Sequence, residues 1–139
     1  MYHNEKQVGT AVTHFLNGDS NTEGLKREDI WFTSKLAQNT AYDVARRSIK
    51  QSIKTSGLGY IDLFLLHSPY GGKEARLEAW RAVEDAIDNG EIRIGGVSNY
   101  GIKHVSGLHC WRSQFYIPQA SSCSQFLPVK ALSLSLIHI

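Results

Sequence analysis

The sequence predicts an α/β fold, part of a (β/α)8 barrel, and three observations point there. Apolar strand-like runs alternate with segments of helical period, and the alternation repeats about every thirty residues. Three of the strands end in a side chain suited to proton chemistry or amide recognition. Alternation of this kind is the signature of right-handed βαβ units around a parallel sheet. An open doubly wound sheet that binds a dinucleotide would carry G-x-G-x-x-G after its first strand, and no such turn occurs. Barrel enzymes instead build a site from single side chains at the carboxyl ends of several strands. A whole barrel takes ~250 residues. The 139 residues here are therefore expected to form about three βα units, followed by an irregular or disordered tail.

The elements follow in order. Val8, Ala11, Val12, Phe15 and Leu16 lie on one face of a helix from Glu5 to Asn17, which Gly18 stops. A polar stretch leads to the aromatic and β-branched run Ile30–Leu36, a strand. Thr40 and Asp43 have the spacing of a capping box for a helix reaching about Thr55, with Ala45, Ile49 and Ile53 on one side. Tyr60–His67 is a continuous apolar run that closes in an imidazole, the pattern of a parallel strand covered on both faces. Ser68-Pro69-Tyr70-Gly71-Gly72 is a loop able to shape the mouth of a site. A helix over about Glu74–Asn89 buries Leu77, Trp80, Val83 and Ile87, and Gly90 ends it. Ile92–Val97 is the third strand, closing in Ser98-Asn99, and Gly101–Leu108 starts a fourth helix.

Composition excludes several function classes. A net charge of +2, with no basic cluster interleaved with aromatics, argues against nucleic acid as a partner. Cys110 and Cys123 have neither CxxC nor zinc-site spacing, so no metal is expected and the thiols are read as free in a reducing cytosol. The apolar stretch Ala131–Ile139 falls short of the ~18 residues that cross a bilayer. The expectation is a cytoplasmic monomer without membrane contact.

Four segments carry a family resemblance. Tyr2–Glu5 followed by Val8-Gly9, then Arg27–Leu36, then Tyr60–Pro69, then Gly96–Tyr100, resemble successive signatures of the aldo-keto reductases, in order and at matching intervals. The resemblance covers Tyr2 to about His104. It implies a (β/α)8 barrel that reduces aldehydes or ketones, small-molecule carbonyl substrates, with NADP(H) and without metal or flavin. Carried over by position, it implies that Tyr2 is the catalytic tyrosine, Lys35 the lysine beside it, and His67 the catalytic histidine that also binds substrate. Ser98 and Asn99 match the pair that hydrogen-bonds the nicotinamide carboxamide.

The chemistry accounts for those residue types. Hydride delivery leaves negative charge on the carbonyl oxygen, so a proton donor must lie within hydrogen-bond reach. A phenol with a pKa near 10 is a reluctant acid or base at neutral pH, and a neighbouring ammonium lowers that value. A histidine at this position orients the carbonyl by donating a hydrogen bond. A serine and an asparagine supply the donor and acceptor that fix one ring face. Blander readings exist for each. His67 alone is a core histidine bonded to a carbonyl, Lys35 an exposed strand-end lysine, Ser98-Asn99 a turn, and Tyr2 a terminal residue.

Departures from the family pattern shape the remaining expectations. The aspartate that precedes the tyrosine in the family has no counterpart, since Met1 stands directly before Tyr2. Residues 1–108 are read as a partial reductase barrel and 109–139 as a divergent tail outside the fold. That tail has no strand–helix period, reads like a translated intron or shifted frame, and ends in LSLIHI, which is similar to a translated sequencing adapter. Three readings result: an NADPH-dependent carbonyl reductase, a non-catalytic NADP(H)-binding regulatory subunit on the same fold, and an inactive fragment. His67 counts against the second. The third is expected of the chain as it stands.

Overall fold

The computed structural model describes residues 4–105, 107–108 and 115–116. Tyr2 and most of the 109–139 segment lie outside the described residues. Helix α1 spans Glu5–Asn17, strand β1 Thr33–Leu36, helix α2 Tyr42–Ser56, strand β2 Ile61–Leu66, helix α3 Gly72–Asp88 and strand β3 Ile92–Val97. A short helix α4, Ile102–Val105, and a two-residue strand β4, Phe115–Tyr116, follow. The four strands form one parallel sheet in the order β1-β2-β3-β4. Strand β4 comes from the stretch the sequence sets aside as tail.

Strand order and helix placement separate the two candidate architectures. A doubly wound sheet reverses direction at a switch point and carries helices on both faces. Here each strand pairs with the next in sequence, and the helices cover one face. Leu36, Phe64, Leu66 and Val97 from the strands join Ala45 and Ile49 of α2 and Ala79, Trp80, Val83 and Ala86 of α3 in one core. At Gly95 the backbone meets α3 so closely that a Cβ would lie 2.6 Å from Val83 Cγ1. Sequential parallel strands with helices on a single face are barrel geometry.

Strand alternation then assigns the faces. Ser34, Phe64 and Gly95 are in register and lie toward the helices, where the Ser34 hydroxyl donates to the Glu5 carboxylate of α1. Lys35, Leu65 and Gly96, the next row, lie on the face turned away from them. Leu63 and Leu65 are buried on that second face. All six β2 residues are therefore buried, as a strand covered on both sides requires.

Two expectations about element starts are corrected. Helix α2 begins at Tyr42 with Ala41 as N-cap and no side-chain capping bond. The Thr40–Asp43 box does not form because the helix starts too late for it, and the Thr40 hydroxyl is buried without a hydrogen bond. The first strand begins at Thr33 rather than Ile30, because the Asp62 carboxylate takes the Phe32 N–H at 3.0 Å.

Asp62 is the largest departure from the apolar pattern of β2. It is 0% exposed and sits at the amino-terminal rim of the sheet, away from the strand ends that carry the motifs. Arg27 Nη2 and Arg93 Nη1 donate to its two oxygens at 2.8 and 2.9 Å. Arg27 also donates to the carbonyls of Leu58, Ile30 and Tyr60, with its guanidinium 4.0 Å from the Tyr60 ring centre. The hydrogen bond to Asp62 holds the Arg93 guanidinium above its ordinary value. A buried carboxylate needs such pairing, since desolvation costs several kcal/mol per ion.

Candidate active site

Backbone pairing continues past the ends of β2 and β3 to take in two of the three motif positions, while Lys35 lies within β1. The His67 N–H donates to Leu36 O at 3.1 Å and the Ser98 N–H to Leu66 O at 2.9 Å, which continues the ladder by one step on each strand. Lys35 is in register with Leu65, and Leu65 with Gly96. His67 and Ser98 stand two residues beyond those partners, so Lys35, His67 and Ser98 share the face turned away from the helices. All three are half-buried at the carboxyl edge of the sheet.

Asn99 is bound into this edge by its own conformation. It is the non-glycine residue with a left-handed backbone among those described, φ 62°, a region asparagine tolerates better than most side chains. The turn brings its amide back over the preceding strand. Asn99 Nδ2 donates to His67 O at 2.8 Å and to Ser98 Oγ at 3.1 Å. Both amide hydrogens are thus used within the protein, which leaves Oδ1 as the acceptor of this side chain. Ser98 Oγ accepts from Asn99, so its own O–H is left to donate. A carboxamide, which offers one oxygen acceptor and an N–H2 donor, fits that pair.

Tyr100 packs behind the turn with its ring edge-on to His104, centroids 6.1 Å apart. Burial pushes the Tyr100 phenol up from its ordinary value of 10.0. The neutral phenol is the form the fold favours. Its contribution is present below the unfolded value near 10.0 and lost as pH rises through the higher native one. Alkaline unfolding curves are expected to show less pH dependence across that window in Tyr100→Phe than in the unaltered protein; superimposable curves would contradict the burial argument.

Among the described residues no group of three His, Cys, Asp or Glu is arranged to hold a metal ion. No helix of that set is long and apolar enough to cross a membrane. Sequence reasoning passed over Asn39 and Arg76, which build the site's surroundings, and took in Tyr100 only as the end of a motif. Asn39 directly precedes the Thr40 offered as a helix cap, and Arg76 falls within the helix expected over about Glu74–Asn89.

The model of the Aldo/keto reductase family matches residues 1–133. The chain belongs to that family. An uncharacterised oxidoreductase of Schizosaccharomyces pombe is 50% identical over 108 residues, covering 78% of this chain and 37% of its own length. One of Saccharomyces cerevisiae is 46% identical over 114 residues, 80% of this chain and 39% of the relative. The solved aldo-keto reductase of Bombyx mori, in complex with NADP, superimposes with a TM-score of 0.68 at 31% identity, covering 80% of this chain and 38% of that one. The chain therefore spans less than two fifths of the length of these relatives. The family match extends to residue 133, through most of the segment that the sequence reading placed outside the fold.

Proposed function

We propose that this chain carries the carbonyl-activating and nicotinamide-holding part of an NADP(H)-dependent aldo-keto reductase site, one that reduces an aldehyde or ketone to an alcohol. The observation that supports the reading most is the register: Lys35, His67 and Ser98 share one face at the carboxyl ends of three successive parallel strands. Bound NADPH supplies the hydride. Tyr2 donates the proton to the developing alkoxide, and the Lys35 ammonium lowers the phenol's pKa so that proton transfer is possible near neutrality. His67 donates a hydrogen bond to the carbonyl oxygen and orients it. Ser98 and Asn99 would hold the nicotinamide carboxamide, the hydroxyl as donor and Oδ1 as acceptor, and so fix one ring face. The NADP complex of the Bombyx mori relative supports the choice of cofactor.

The test is oxidation of NADPH in the presence of a panel of aldehydes and ketones. On this reading carbonyl-dependent oxidation is expected, reduced by about 100- to 10,000-fold in Tyr2→Phe, as loss of a general acid implies. Lys35→Met is expected to lose activity and to shift the remaining pH profile to higher pH. Undiminished turnover in both variants would sink the reading.

A second reading concerns the chain as it stands. Its described sheet has four strands, while eight close a barrel, and this supports a polypeptide that holds part of a site without turnover. NADPH binding that fails to saturate, with no oxidation, would favour it. Saturable binding with turnover abolished in Tyr2→Phe would refute it.

A further inference from the structure

Four consecutive carbonyls beyond β2 each accept a hydrogen bond from a side chain. Asn99 serves His67 O. Asn39 Nδ2 donates to Ser68 O at 2.8 Å and to Tyr70 O at 2.6 Å. Arg76 Nη1 of α3 donates to Pro69 O at 2.9 Å. Surface loops commonly leave such groups to water; this one has them taken in succession by side chains from three other segments.

Asn39 is the centre of that arrangement. It lies on the connection from β1 to α2 and is 8% exposed. Both bonds from its amide nitrogen go to the loop after β2, and its Oδ1 accepts from the Tyr100 hydroxyl at 3.2 Å, on the turn after β3. One small side chain therefore joins the three connections that follow Lys35, His67 and Ser98. Gly71 admits the approach: its φ is 101°, and a Cβ there would lie 3.2 Å from Asn39 O.

We propose that Asn39 is a positioning residue for His67, fixing the loop that His67 opens by holding the carbonyls of Ser68 and Tyr70 and tying that loop to its two neighbours. The proposal rests on the reading of His67 as the group that orients the substrate carbonyl. Asn39 touches neither substrate nor cofactor in this scheme; it acts through the placement of the imidazole. A donor displaced by ~1 Å loses up to about 100-fold in rate, which is the effect the clamp prevents.

The experiment follows the His67 imidazole resonances in protein labelled with 15N-histidine, assigned through His67→Asn, alongside kinetics and NADPH titration. Asn39→Ala is expected to shift or broaden the His67 resonances and to lower kcat by about 10- to 100-fold, with NADPH affinity unchanged. Asn21→Ala controls for general loss of stability. Asn21 also makes three local hydrogen bonds, to the carbonyls of Leu16 and Leu25 and from the Leu25 N–H, on the connection leading into β1. It is expected to lower the unfolding midpoint and leave the His67 resonances in place. Tyr100→Phe removes only the bond into Asn39 and keeps the ring; a smaller shift of His67 in the same direction is expected, and it decides the matter should Asn39→Ala fail to fold. His67 resonances unmoved in Asn39→Ala and Tyr100→Phe, or moved equally by Asn21→Ala, overturn the proposal. The resonance readout needs no turnover. Absence of NADPH oxidation in the unaltered protein would refute the proposed reaction, while the resonances still decide whether Asn39 places His67.

Discussion

Asp62→Ala is expected to destabilise the protein by about 3–5 kcal/mol, the range for breaking a buried ion pair by removing one partner. The carboxylate is fully buried, and its loss leaves Arg27, whose side chain is 19% exposed, without its counter-charge. It also strands the Phe32 N–H at the point where β1 joins the sheet. Stabilities of small domains run to about 5–15 kcal/mol, so this single change consumes a large share. Arg93→Ala should cost far less, about 0–1 kcal/mol, because that side chain is half exposed and its departure leaves Asp62 paired with Arg27. Urea midpoints of the two variants separate the cases, and equal small shifts would show that the cluster contributes nothing beyond a surface pair.

Gly9→Ala should have the other large effect, opposite in sign to helix propensity. In an exposed helix the change would gain about 1 kcal/mol. Here α1 rests directly on the end of α2: a Cβ built on Gly9 falls within the Ser56 carbonyl group, with the carbonyl carbon at 2.6 Å. Both partners are backbone, so no side chain can rotate away and the helices must part. A net loss of about 1–3 kcal/mol or more is expected. Thr10→Ala, one residue along and exposed, should stay within about 0.5 kcal/mol. The thermal midpoints of the two variants check this; a stabilised Gly9→Ala would mean that α1 does not dock on α2 as described.

What the sequence revealed and what it hid follow from the range of the interactions involved. Helix α1 and strand β3 were legible to the residue because their signals, a helical stripe stopped by glycine and an apolar run after a turn, are local. Lys35, His67 and Ser98 were legible as strand-end positions for the same reason. Asp62 was not, because one acid inside an apolar run gives no sign of partners some thirty residues away on either side. Asn39 was hidden in the same way: its bonds reach the loops after β2 and β3. The Thr40–Asp43 box misled because capping signals are degenerate, and docking of α2 on the sheet set the helix start instead. That the motif side chains share one face is a matter of register, which no single strand contains.

The sequential strand order bears on how the molecule is made. Each strand emerging from the ribosome finds its pairing edge already synthesised, so β2 adds to β1 and β3 to β2 without waiting for distant chain. Each pairing closes about thirty residues, less for that step than closing a longer stretch would cost. Asp62 fits that sequence of events: Arg27 lies earlier in the chain, so the buried carboxylate has a partner at once, and Arg93 completes the pairing when the next unit arrives. The charge buried in β2 is thereby compensated from the units on both sides of it.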